Sequence, residues 1–262
     1  MAETFGIDKL FWGLTFFLNA GLVILVLYRK NVRVFPFFFL YALLDLAHGV
    51  VIFESYRIWG FNSATSRNIA WGTQGLVTFA RALAVAEGCY RILAKFRGIW
   101  ELAWRTLVTA GVFVSFYAWA VSRGSWQFAI LNLDRSLELV IASVIVLLFL
   151  FARYYEVAVQ PTVRTLVTGF FLYSCFRIVN DSILERWLHT YATLWNFFGT
   201  VTFLASLLLW IWALRLTQQQ TTAEPELLPE DHYRSLSPAI NARLRSLNEQ
   251  LSHFWYAEGK KT

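Results

Sequence analysis

The chain has 262 residues, of which 57% are hydrophobic, 18% aromatic and 15% charged. A soluble globular protein carries roughly 25% charged residues, and a mean hydropathy of +0.49 belongs to a chain that lives in lipid. Disorder and a collagenous repeat are excluded by composition, and two cysteines, Cys89 and Cys175, build neither a disulfide framework nor a zinc knuckle.

A bilayer core needs roughly 20 mostly apolar helical residues. Seven stretches meet that need: 10–28, 35–53, 70–93, 100–121, 136–151, 163–184 and 191–216. A transmembrane barrel would instead show short segments of alternating polarity. The expected fold is an all-α integral membrane protein, a seven-transmembrane-helix bundle over residues 1–216. The first stretch is not read as a cleavable signal, because Glu3 and Asp8 precede it and no small-x-small site follows it.

Arginine and lysine in the short loops set the orientation. Arg29, Lys30 and Arg33 follow span one, and Arg91, Lys95 and Arg97 follow span three. The opposite side has fewer. The N-terminus is therefore expected outside and the C-terminus in the cytoplasm. The net charge of +6 reflects this anchoring and gives no reason to expect nucleic acid. Trp59, Trp71, Trp100, Trp104 and Trp119 fall near span ends, where amphipathic rings settle at the headgroups.

Phe38-Phe39-Leu40-Tyr41 in span two reappears as Phe170-Phe171-Leu172-Tyr173 in span six. Laying one on the other makes spans one to three and five to seven parallel copies around span four, a 3+1+3 repeat plan.

Ionisable groups at membrane depth cost about 2.5–3.5 kcal/mol each on insertion scales and need partners or a wet cavity. Span two holds Tyr41, Asp45 and His48 on one face. Span three holds Gln74, Thr78 and Arg81 on one face, with Glu87 deeper. Span five opens with Asp134, Arg135 and Glu138. Span six carries Arg177, Asn180 and Asp181, with Arg177 and Asp181 at ion-pair spacing. Asn19 and Asn196 lie in spans one and seven. Counted from the span ends, Asp45, Arg81 and Asn19 sit near the midplane, and His48, Gln74, Glu138, Arg177, Asn180 and Asn196 in the outer half. That distribution suits a polar ligand cavity in the outer half. Asp45 is the carboxylate at the depth of Arg81, so an Asp45–Arg81 pair is expected. Ala80, Ala84 and Gly88 form a small-residue row that makes span three the central helix.

Several chemistries find no support. No lysine lies within a span, which excludes covalent retinal. Only His48 among the four histidines is intramembrane, so neither a metal site nor bis-histidine haem is expected, and no cofactor is implied. Nucleophile-elbow and zincin motifs are absent. The remaining enzymatic option is an acid/base pair in which Asp45 orients the His48 imidazole.

Residues 217–236 are polar and read as a flexible linker. Residues 237–255 read as an amphipathic cytoplasmic helix, opened by Ser237-Pro238. Its stripe of Ile240, Leu244, Leu247 and Leu251 should dock on a second copy, the membrane, a partner or the protein's own cytoplasmic face. The sequence thus points first to a receptor-like or accessory inner-membrane protein of bacterial type, and second to a small-solute carrier of 3+1+3 design.

Overall fold

The computed structural model describes residues 2–60, 63–94, 96–122, 124–157, 159–186, 192–220 and 238–258, and is all-helical over them. The helices are α1 (Ala2–Tyr28), α2 (Pro36–Trp59), α3 (Ala64–Leu93), α4 (Arg97–Val121), α5 (Trp126–Tyr154), α6 (Pro161–Arg186), α7 (Ala192–Gln220) and α8 (Pro238–Glu258). A short 3-10 turn at Asn31–Arg33 links α1 to α2.

Local chemistry sets the helix starts. Pro36 and Pro161 open α2 and α6, where a missing N–H costs nothing. Ser63 caps α3 by accepting the Thr65 N–H at 3.2 Å. The start of α2 has a partner from another helix. Glu87 of α3 accepts the backbone N–H groups of Phe37 and Phe38 at 3.1 and 3.0 Å. A carboxylate on those orphan donors also meets the positive end of the helix dipole. The deep Glu87 of the sequence reading is therefore a cap.

The helices close into a ring in the order α1, α2, α3, α5, α6, α7 and back to α1. Arg29 helps to close it by donating to the Arg215 carbonyl at 3.2 Å. Helix α3 also reaches across to α6, and α4 lies outside the ring against α3 and α5. Exchanging α1–α3 for α5–α7 maps each neighbouring pair of the ring onto another. Phe38 and Phe170, which stand opposite each other in the sequence overlay, meet edge to face with centroids 6.0 Å apart.

The small-residue row does what its spacing suggested. Ala80 and Ala84 are buried, and a Cβ on Gly88 would stand 2.8 Å from Val167 Cγ2 of α6. The surface is apolar instead of polar. Phe113, Phe116 and Trp119 of α4 and Leu147 and Leu150 of α5 are exposed, a display that water does not tolerate over so large an area.

Among the described residues, five segments are long and apolar enough to cross a membrane: Phe11–Tyr28, Pro36–Trp59, Trp126–Tyr154, Pro161–Val179 and Phe197–Arg215. This is the make-up of a multi-pass membrane protein. Helices α3 and α4, read as spans from the sequence, have 30 and 25 residues but fall short on apolarity. Arg67, Arg81, Glu87 and Arg91 lower α3, and Arg97, Glu101 and Arg105 lower α4. A helix surrounded by α2, α4, α5 and α6 need not be apolar on every side, because its polar groups find partners in protein.

Helix α5 also starts earlier than the sequence reading placed it. It begins at Trp126, so Asp134 and Glu138 lie two to three turns inside it and not at its mouth. Reading a span inward from its first charge underestimates a helix whose charges are neutralised by neighbours.

Helix α8 packs on α4. Leu244 is buried, and Asn248 Oδ1 accepts the Gly98 N–H at the start of α4 at 2.8 Å. The sequence stripe needs a correction here: Leu247 is 41% exposed. The docked face runs Leu244, Asn248, Leu251 at i, i+4, i+7, and the polar Asn248 belongs to it because it satisfies an orphan N–H of α4. The side chain of Ile240 lies outside the described residues. Docking requires a glycine at position 98, where a Cβ would lie 2.8 Å from the Asn248 carbonyl oxygen and 3.1 Å from Leu251 Cβ. Gly98→Ala should release α8 while the bundle stays folded. Limited proteolysis should then cut the tail at least several-fold faster, and an unchanged rate would mean that the contact does not hold the tail.

Candidate functional site

Two adjoining polar regions fill the interior toward the end of the bundle that carries the α1 N-terminus. The first is a charge cluster between α3, α5 and α6. Arg81, fully buried, is ion-paired to Asp134 at 3.1 Å and hydrogen-bonded to Glu138. Asp134 also accepts from Thr78 Oγ1 at 2.6 Å and from Arg177. The Arg81 guanidinium lies 5.0 Å from the centroid of the Tyr173 ring, a cation–π distance. Two arginines and two carboxylates make the cluster neutral as a whole. Asp134 is its hub, with one oxygen turned to Arg81 and Thr78 and the other to Arg177.

The expected Asp45–Arg81 pair is therefore not formed. Depth counting put Asp45 at the right level but said nothing about azimuth. Asp45 lies on α2, while Arg81 turns toward α5. The carboxylate of Asp45 instead accepts from Asn19 Nδ2 of α1 at 2.6 Å. Arg177 was expected to use Asp181. It bonds Asp134 across the α5–α6 contact, and the side chains of Asn180, Asp181 and Asn196 lie outside the described residues.

The second region is a cavity of about 490 Å³ between α1, α2, α3, α6 and α7. Its size falls within the range of small-molecule sites. Asp45, His48, Gln74 and Arg177, four of the residues singled out in the sequence, line it together with Tyr173 and Thr200. Phe11, Trp12, Phe176, Phe197 and Phe203 supply its aromatic wall. Arg177 is the residue common to both regions, bonded to Asp134 on one side and 29% exposed on its side chain.

His48 has a defined hydrogen-bond polarity. Its Nδ1 lies 2.7 Å from Thr73 Oγ1, and that hydroxyl turns its own proton to the Ile69 and Ala70 carbonyls at 2.8 and 3.1 Å. With the hydroxyl proton on those carbonyls, Thr73 accepts from His48 Nδ1–H, and in that tautomer Nε2 is left as an acceptor. Thr73 holds the imidazole, where the sequence reading gave that role to Asp45. The acid/base dyad is not assembled, since Asp45 and His48 each turn to a different helix. Among the described residues no group of three His, Cys, Asp or Glu side chains gathers at metal-binding distances.

Directly inward of the cavity stands an aromatic block. Trp210 of α7, fully buried, packs against Phe170 at 4.8 Å, Phe38 at 5.6 Å and Tyr41 at 5.7 Å between centroids. Its Nε1–H donates to the Leu166 carbonyl at 3.1 Å. These residues sit one or two turns beyond Asp45, Tyr173 and Phe203 on their own helices, toward the opposite end. The cavity is thus lined by polar groups at one end of the bundle and backed by close-packed rings.

Sequence reasoning missed Tyr173, Thr73 and Trp210, and named Asp134 without giving it a role. Tyr173 was within reach, one turn from Arg177 on the same face. Nothing in the sequence around Thr73 or Trp210 marks either of them among so many threonines and tryptophans. In comparison with known proteins, no family model matches this chain, and neither the curated proteins nor the solved structures contain a significant match.

Proposed function

We propose that the chain is a seven-span membrane protein that binds a small ligand in the cavity between α1, α2, α3, α6 and α7 and acts as a receptor-like or accessory protein. The observation that carries this reading is the convergence of Asp45, His48, Gln74, Arg177 and Thr200 on one cavity. Among the described residues, the Gln74 amide and His48 Nε2 have no hydrogen-bond partner, although both line a site walled by aromatic rings. Polar groups turned toward an aromatic-walled cavity with no protein partner are available to a ligand. The aromatic block behind the cavity favours binding over passage. Helix α8, seated on α4, is the element through which occupancy would be read by a partner.

In this reading α3 and α4 are the third and fourth spans, the α1 N-terminus is outside, and α8 is cytoplasmic, as the arginine and lysine bias requires. A reporter fused after Thr262 should be active as a cytoplasmic marker and silent as a periplasmic one. The opposite pattern would invert the bundle or change the span count.

The binding reading is tested by native mass spectrometry of protein extracted from its own membranes. A bound small molecule should be seen with the wild type and lost from Thr200→Phe, which fills the cavity. Equal occupancy in both would remove the cavity from consideration. A carrier of 3+1+3 design is the second reading, favoured by the exchange symmetry of the helix ring and by the Phe38–Phe170 contact. It requires the aromatic block to open, so flux of the bound molecule into proteoliposomes separates the two.

A further inference from the structure

We propose that the ligand is a small organic cation, an ammonium group held by Asp45 with its apolar body against the aromatic wall; the inference rests on the cavity being a ligand site. The two arginines and two carboxylates of the neighbouring cluster neutralise one another. Asp45 forms no ion pair within that cluster and adds a negative charge that the four groups do not match, the Arg81 guanidinium reaching it only at a distance. Its described hydrogen-bond partner is the neutral Asn19 amide, which donates to one oxygen, Oδ2. No described lysine or arginine lies within ion-pair distance of it. A carboxylate in the bundle interior with no ion-pair partner of its own selects a cation.

The other groups point the same way. Thr73 fixes His48 with Nε2 as an acceptor. The Gln74 amide can turn its oxygen inward. Asp45 Oδ1, His48 Nε2 and Gln74 Oε1 therefore offer three acceptors to one cavity, and a primary ammonium offers three donors. Arg177, the cation on the wall, is already engaged by Asp134, so an anionic ligand would face Asp45 with no free counter-charge among the described side chains. The rings of Trp12, Phe176 and Phe203 add an apolar surface that a bare metal ion has no use for and that attracts an organic cation by its π-faces.

The test uses three near-isosteric probes on the full chain in lipid nanodiscs: 2-phenylethylammonium, 2-phenylethanol and phenylacetate. Isothermal titration should give the ammonium at least tenfold tighter than the alcohol, and no binding of the carboxylate. Asp45→Asn should bring the ammonium down to the level of the alcohol. Gln74→Leu, which keeps every charge, should weaken the ammonium several-fold and serves if Asp45→Asn does not fold. Thr200→Phe should abolish binding and so separates the cavity from partition into lipid. If the alcohol or the carboxylate binds as tightly as the ammonium and Thr200→Phe removes it, the cavity is a ligand site but not a cation site, and the inference falls alone. If none of the three binds above the Thr200→Phe level, the ligand-site reading falls with it.

Discussion

Replacing Asp134 by asparagine should destabilise the bundle by about 3–5 kcal/mol, the loss typical of a buried ion pair broken from one side. The effect should exceed that of Arg81→Gln. The reason is chemical asymmetry. A carboxylate that loses its arginine can take up a proton and become neutral, whereas a guanidinium cannot shed one. Asp134→Asn strips both Arg81 and Arg177 of a shared partner, while Arg81→Gln leaves Asp134 with Arg177. Combining Asp134→Asn with Arg81→Gln removes one charge of each sign and should recover more than half of the loss. Thermal unfolding of the two single variants and the double, in one detergent, completes the cycle. Additive losses would mean that the two residues are not coupled and that the cluster geometry is wrong.

Trp210→Ala should cost a similar amount, about 3–5 kcal/mol, the usual range for deleting a buried large aromatic. Four rings meet at this point and the indole N–H is hydrogen-bonded to the Leu166 carbonyl, so little can collapse into the gap. Crowding the same place should also hurt. A Cβ on Gly169 would run into the Trp210 indole, and Gly169→Ala should cost about 1–3 kcal/mol as an overpacked core. Thermal shifts check both. If Gly169→Ala is neutral, the ring can move aside and the block is softer than its packing suggests. The Trp210→Ala protein has a second use, because it removes the barrier inward of the cavity. Solute leak in proteoliposomes with this variant and not with the wild type would show that the block is what closes the path.

Much of this was legible in the chain. Length, apolarity and proline placement lead to long helices starting at Pro36 and Pro161, and the spacing of Ala80, Ala84 and Gly88 identifies the helix that touches four others. Depth counting also brings Asp45, His48, Gln74 and Arg177 to one cavity. What could not be read was azimuth. Arg81 and Asp45 share a level, yet each turns to a different neighbour, because the rotation of a helix about its axis is set by packing with partners distant in sequence. The same limit misplaced Leu247. The 4–3–4 spacing marks a stripe, but only the position of Gly98 on another helix decides which side of the stripe is covered. The start of α5 was missed for the opposite reason. Charges read as a boundary were interior groups whose partners, Arg81 and Arg177, come from elsewhere in the chain.

The charge cluster has a consequence for biogenesis. Arg81 is 53 residues ahead of Asp134 and 57 ahead of Glu138. On the seven-span reading, α3 leaves the ribosome carrying an arginine whose counter-charges have not yet been made, and its own sequence falls short of the apolarity that drives insertion. It would then be held, at the translocon or at the membrane surface, until α5 arrives. Insertion on that reading would not be a succession of independent helices. On that reading α3 would commit to the bilayer only when α5 supplies its acids, so a chain truncated before α5 should be recognised as defective and degraded at that stage.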